Sequence, residues 1–123
     1  MDTLKGFKRN AYCGEPRLGD VGREYSVCGW VQRQRDLGQL IFIDLRDRTG
    51  ILQLAVDDGT DRDLFKKAFG ARSEFVLAAK GVLRERSSKN KEIPTGDVEL
   101  FVTELRVLAG AETPPSRSWR TAT

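Results

Sequence analysis

An aromatic ring, an amide and two guanidinium groups occur close together in this chain, and they suit recognition of a flat nucleobase. Phe42 and Gln53 lie on two neighbouring segments with strand-like alternation, beside Arg33 and Arg35. The alternation places Phe42 and Gln53 on one exposed face. A ring stacks on a base, and an amide pairs with a base edge. Surface phenylalanines without a function are also common, so these residues alone leave both interpretations open.

The opposite face of the same two segments is apolar, as expected for strands that cover a core. It carries only aliphatic side chains, namely Ile41, Ile43, Leu45, Leu52, Leu54 and Val56. Ile51 and Ala55 share the exposed face with Gln53. The sequence therefore predicts two paired strands with one buried side and one side available for a ligand.

The composition excludes several other kinds of chemistry. The chain has 123 residues, a net charge of +3 and 39% apolar residues, which fits one folded domain. Histidine is absent, so no histidine-dependent triad or imidazole acid–base exists. Cys13 and Cys28 are too few for a metal site or disulfide framework, and we interpret them as reduced thiols. We predict no catalytic or metal-binding residue, and a cytoplasmic protein without signal peptide or membrane span.

Five strand-like segments and one helix are predicted, in the order three strands, helix, two strands. The helix has Thr60 or Asp61 as N-cap and ends at Gly70. Gly29 is expected to mark a bend in the first strand. The order is typical of an all-β, five-stranded Greek-key barrel with one capping helix, the OB-fold. The strands are expected at about residues 24–34, 40–46, 51–57, 74–84 and 97–107.

Two basic loops flank the predicted ligand face. In OB-folds the first-to-second and fourth-to-fifth loops border the binding surface, and here they cover about residues 33–39 and 84–92. Either charge run alone is also compatible with a solvated surface. Both runs together, with Phe42 and Gln53 between them, favour a nucleic-acid interface.

The end of the chain differs in composition from the rest. Two prolines and several small polar residues follow the last predicted strand. We therefore predict a domain over residues 1–115 and a linker or tail over residues 116–123. Trp119 lies in that tail, where it either packs back on the barrel or contacts a partner.

Several sequence runs of this chain are distinctive in combination. They are AYCGEPRLGDVG, CGWV, RDLG, LIFIDLRDRTG and LQL, followed by TGDVEL at residues 95–100. Together these runs resemble the N-terminal anticodon-binding domain of bacterial aspartyl-tRNA synthetase, and the similarity covers about residues 11–115. The resemblance implies that Phe42 stacks on the middle anticodon base, a uridine, and that Gln53 hydrogen-bonds its edge. It also implies that Glu99 lies near the first anticodon base.

The resemblance further assigns the cations. It implies contacts to phosphates or to the third base by Arg33, Arg35, Arg84 and Arg86. Arg72 matches a basic position that either touches the anticodon stem or is a solvated surface residue. Gln34 stands where the family commonly has another arginine, which predicts a weaker grip by the first loop.

The resemblance implies tRNA with the aspartate anticodon as partner, and a synthetase subunit as a second candidate partner. The family continues into a class II catalytic domain whose motifs this chain lacks. We therefore expect the chain to be non-catalytic by itself and to need no cofactor, since ATP, Mg²⁺ and aspartate would belong to that catalytic domain. Two rival hypotheses remain: a general single-strand binder and a protein-interaction module.

Overall fold

The computed structural model describes residues 6–59, 61–86, 89–93 and 95–109. One turn of 3-10 helix, Leu18–Asp20, precedes the first strand. The predicted order of three strands, helix and two strands is confirmed. The elements are β1 (Glu24–Asp36), β2 (Leu40–Asp47), β3 (Gly50–Asp57), α1 (Arg62–Gly70), β4 (Val76–Glu85) and β5 (Val98–Ala109). The predicted domain boundary at residue 115, the tail, Trp119 and Thr60 lie outside the described residues.

The five strands close into a barrel in the order β1-β2-β3-β5-β4. β4 returns to pair antiparallel with β1, and β3 pairs in parallel with β5. The remaining neighbours are antiparallel. Closure gives each of these five strands a paired neighbour on both sides. This ring, with its single helix between β3 and β4, is the predicted OB-fold.

The barrel interior is the predicted apolar face of β2 and β3. All six aliphatic side chains of that face are fully buried. Helix α1 adds Leu64 and Ala68 to the same core. Its N-cap is Asp61, whose side chain accepts hydrogen bonds from the backbone N–H groups of Asp63 and Leu64, at 2.9 and 3.3 Å.

The prediction that the opposite face of β3 is exposed is wrong at two positions. Ala55 is fully buried, and Gln53 is only 3% exposed. The neighbouring strands explain this difference, since Ala55 is paired with Phe42 on one side and Phe101 on the other. The two larger rings cover Ala55, and the side chain of Gln53 is enclosed by its hydrogen-bond partners Arg35 and Glu99.

A bulge in β1 decides which side chains reach the outward face. The register shifts by one residue between Val31 and Arg33. An extra residue reverses the alternation that a continuous strand would keep. Beyond the bulge, Arg33 is paired with Asp44 and Arg35 with Phe42, so both arginines lie on the outward face.

The same bulge turns Gln34 towards the helix. Its Nε2 atom donates to the carbonyl oxygens of Ala68 and Phe69, at 2.6 and 3.0 Å. These carbonyls belong to the last turn of α1, where intrahelical partners are lacking. Gln34 therefore binds the end of the helix, and the weaker grip of the first loop stays a prediction.

Gly29 is required by a close approach between strands. A Cβ atom at this position would collide with the backbone carbonyl of Arg46. The contact gives a packing reason for the glycine in place of the predicted bend. Cys13 and Cys28 are free, and burial raises the pKa of the Cys13 thiol.

Candidate nucleic-acid interface

One line of polar side chains crosses the outward face of all five strands. We call it the polar row, and its members are successive register partners. In spatial order it contains Arg33 of β1, Asp44 of β2, Gln53 of β3, Glu99 of β5 and Arg84 of β4. Residues 46 positions apart in the chain, Gln53 and Glu99, thus become neighbours.

A hydrogen-bond chain runs through the centre of the polar row, and its middle link, between Gln53 and Glu99, is buried. Arg35 Nη2 donates to Gln53 Oε1 at 2.7 Å, and Gln53 Nε2 donates to Glu99 Oε1 at 2.8 Å. Arg84 Nε donates to the other oxygen of Glu99 at 2.5 Å. Glu99 is only 6% exposed. A carboxylate at such depth must be paired, and Arg84 with Gln53 satisfies both of its oxygens.

A second line, the aromatic row, runs beside the polar row about two residues, or roughly 6.8 Å, further along the strands. It contains Arg35, Phe42, Ala55, Phe101 and Val82. Both rings are half-buried. The guanidinium carbon of Arg35 lies 5.3 Å from the Phe42 ring centre, and that of Arg84 lies 4.5 Å from the Phe101 ring centre. Two arginines therefore link the two rows.

The remaining predicted cations, Arg86 and Arg72, are not members of either row. Arg86 follows β4, and its buried Nε atom has no hydrogen-bond partner within the described part of the chain. Arg72 lies at the end of α1, where its Nη1 atom donates to the Phe69 carbonyl at 2.7 Å. The structure thus brings together Phe42, Gln53, Glu99, Arg33, Arg35 and Arg84, and it places Arg72 apart from the polar row.

Two residues of this surface were missed from the sequence as members of the site. Asp44 belongs to the polar row, and its Oδ1 atom lies 3.9 Å from Arg35 Nη2. Phe101 supplies the second ring. Strand alternation is enough to place both on the outward face, but the residues beside them are set only by the closure of the barrel.

The arrangement offers aromatic faces, amide and carboxylate edges, and an excess of cations over acids. These groups suit a nucleobase with its phosphate. Among residues 6–59, 61–86, 89–93 and 95–109, no group of three or more His, Cys, Asp or Glu has the arrangement needed to hold a metal ion. Within the same residues no helix is long and apolar enough to cross a membrane.

The fold and this surface define an OB-fold nucleic-acid-binding domain. The family model for tRNA anticodon domains, described as an OB-fold nucleic acid binding domain, matches residues 25–108. The chain belongs to this family. It is 49% identical over 117 residues to the aspartate–tRNA(Asp/Asn) ligase of Syntrophotalea carbinolica, covering 94% of this chain and 20% of that protein. The chain spans about a fifth of the length of the curated relatives it matches.

Solved structures agree with this assignment. Asparaginyl-tRNA synthetase from Pyrococcus horikoshii, complexed with asparaginyl-adenylate, superposes with a TM-score of 0.73 at 26% identity, over 93% of this chain and 26% of that chain. OBody AM2EP06 bound to hen egg-white lysozyme also superposes with a TM-score of 0.73, at 28% identity, over 85% of this chain and 96% of that chain. The resemblance to the anticodon-binding domain of aspartyl-tRNA synthetase is confirmed.

Proposed function

We propose that this domain recognises the anticodon loop of an aspartate-accepting tRNA. The observation that carries the proposal is the polar row, in which an amide and a carboxylate are held side by side next to an outward phenylalanine. Anticodon bases are unstacked and single-stranded, so stacking platforms and base-edge contacts suit them.

In this proposal the middle base, a uridine, stacks on Phe42 and pairs along its edge with Gln53. Glu99 accepts hydrogen bonds from the first base, a guanine, whose edge carries N–H donors. Stacking contributes about 1–3 kcal/mol and tolerates any base. Selectivity therefore depends on Gln53 and Glu99, because a wrong edge leaves their buried polar atoms without partners.

The cations act on the backbone. Arg33 and Arg84 at the two ends of the polar row, with Arg35 and Arg86 beside them, contact phosphates or the third base. Arg72 lies at the helix end and approaches the anticodon stem. Such contacts add affinity without sequence information and weaken as salt increases.

The activity of the longer relatives belongs to the proposal as well. A protein that carries this domain would attach aspartate to tRNA in the cytoplasm, with ATP, Mg²⁺ and aspartate bound by a class II catalytic domain. The barrel itself is assigned recognition only. It is therefore expected to bind RNA without any cofactor.

The test is fluorescence anisotropy of the 123-residue chain with an aspartate-tRNA anticodon stem-loop at near-physiological salt. The control RNA differs only at the middle uridine. We expect tighter binding of the native loop, by about tenfold or more, and loss of this preference in Gln53→Ala. Equal binding of both loops would indicate a general single-strand binder, and no binding to either would contradict RNA recognition by this domain.

A second candidate function is docking of a protein, such as a synthetase subunit. One observation favours it: the OBody with this fold is bound to lysozyme. The candidate predicts a stable complex with a synthetase subunit that Phe42→Ala leaves intact. A complex that competes with the stem-loop would instead place both ligands on the same face.

A further inference from the structure

The hydrogen bonds at the centre of the polar row have a fixed polarity. Arginine side chains only donate, and an ionised carboxylate only accepts. Glu99 therefore requires the NH₂ group of the Gln53 amide, and Arg35 requires its carbonyl oxygen. Reversal of the amide would place donor against donor and acceptor against acceptor. The direction of this amide follows from the chemistry of its two neighbours.

Arg84 holds this arrangement from the far end of the row. Its Nε atom and Gln53 Nε2 each bind a different oxygen of Glu99, so the carboxylate is fixed on both sides. The ring of Phe101 lies against the Arg84 guanidinium and restricts its movement. Arg84 is therefore connected to the amide of Gln53 through the carboxylate of Glu99.

We propose that Arg84 is a positioning residue that sets the base preference of the site. Through Glu99 it keeps the carbonyl oxygen of Gln53 directed to the side that Arg35 shares with Phe42. This direction selects uracil over cytosine at the ring of Phe42. The inference rests on the proposed function and specifies how the middle base is read.

The chemistry of the two pyrimidines gives the reason. Uracil presents a ring N–H donor beside a carbonyl acceptor, whereas cytosine presents a ring-nitrogen acceptor beside an amino donor. A base on Phe42 replaces the Arg35 guanidinium at Gln53 Oε1, and this position requires a donor. The second hydrogen of Gln53 Nε2 remains for the carbonyl of uracil. An amide free to reverse would accept either pyrimidine.

The experiment compares two stem-loops that differ only in having uridine or cytidine at the middle position. The measured quantity is the ratio of their dissociation constants. We expect a ratio of about ten or more for the wild-type chain and a ratio within about threefold of one for Arg84→Met. Arg84→Lys, which keeps a donor for Glu99, should recover most of the preference.

Arg33→Met is the matched control, since it removes an arginine from the opposite end of the same row. It should weaken binding of both stem-loops equally and leave the ratio unchanged. Glu99→Gln is a second, independent variant, because an amide at this position accepts or donates and no longer fixes the direction of Gln53. It should lower the ratio as Arg84→Met does.

An undiminished ratio in folded Arg84→Met would overturn the inference while leaving anticodon recognition standing. If that variant fails to unfold cooperatively, an undiminished ratio in Glu99→Gln would overturn it equally. A wild-type chain that binds neither stem-loop, or both alike, contradicts the proposed function itself. The two failures are therefore distinguishable.

Discussion

Two places in this domain combine a glutamine, a phenylalanine and arginines, and they use them differently. At the helix end, formed by Gln34, Phe69 and Arg72, the polar side chains donate to main-chain carbonyl oxygens of α1. On the outward face, the side-chain amide of Gln53 is hydrogen-bonded to the side chains of Arg35 and Glu99. The residue types are the same, and the kinds of partner differ.

The kind of partner separates a structural contact from a binding contact. Main-chain carbonyls in the last helical turn are fixed in place and lack helical partners, so a donor there stabilises the fold. A side-chain partner such as Arg35 is attached through rotatable bonds, so a ligand that offers the same donor can take its place. Composition alone does not separate these cases, and three matched pairs of substitutions test the difference.

The largest difference is expected between the two phenylalanines. Phe42→Ala removes the stacking platform and should weaken stem-loop binding by about 1–3 kcal/mol, for any middle base. Phe69 is 49% exposed at the helix end, and Phe69→Ala should leave the affinity unchanged. Anisotropy titration of both variants against the same stem-loop measures this. Equal losses would show that RNA extends over the helix end.

Substitution of the two glutamines should affect different properties, the stability of the fold for Gln34 and the base preference for Gln53. Gln34→Ala leaves two helix-end carbonyls with fewer donors and should lower the free energy of unfolding by about 1 kcal/mol. Its preference for the native anticodon should persist. Gln53→Ala should show the opposite pattern, with loss of base preference. Urea denaturation gives the first quantity and anisotropy the second, and a base preference that Gln34→Ala abolishes would contradict the division.

The local elements were predictable from the sequence because their signals are local. Alternation in β2 and β3 identified the buried faces, and Asp61 identified the start of α1. The order of the elements was enough to predict the closed barrel. The strand alternation and the helix start each depend on residues that are close together in the chain, whereas the barrel was inferred from the order of the elements.

The geometry of the site was less predictable, for two physical reasons. Uninterrupted alternation from Val31 would turn Arg33 and Arg35 into the core, and only the bulge reverses them. Contact between Gln53 and Glu99 requires the parallel pairing of β3 with β5, which no local pattern encodes. The burial of Gln53 follows from the same closure. Strand alternation predicted that Gln53 pairs with a base edge, and the family resemblance alone identified that base as the middle anticodon uridine.

The smallest difference is expected between the two arginines, and it concerns salt dependence. Arg33 is exposed at one end of the polar row, so Arg33→Met should remove about one phosphate contact. The plot of log affinity against log salt concentration should then become shallower, its slope losing about 0.7 in magnitude, the value for one contact on a single strand. Arg72→Met should change the slope less, because that guanidinium already donates to the Phe69 carbonyl. Titrations at four or more salt concentrations measure both slopes. An equal fall for the two variants would contradict this order and give Arg72 a full phosphate contact of its own with the anticodon stem.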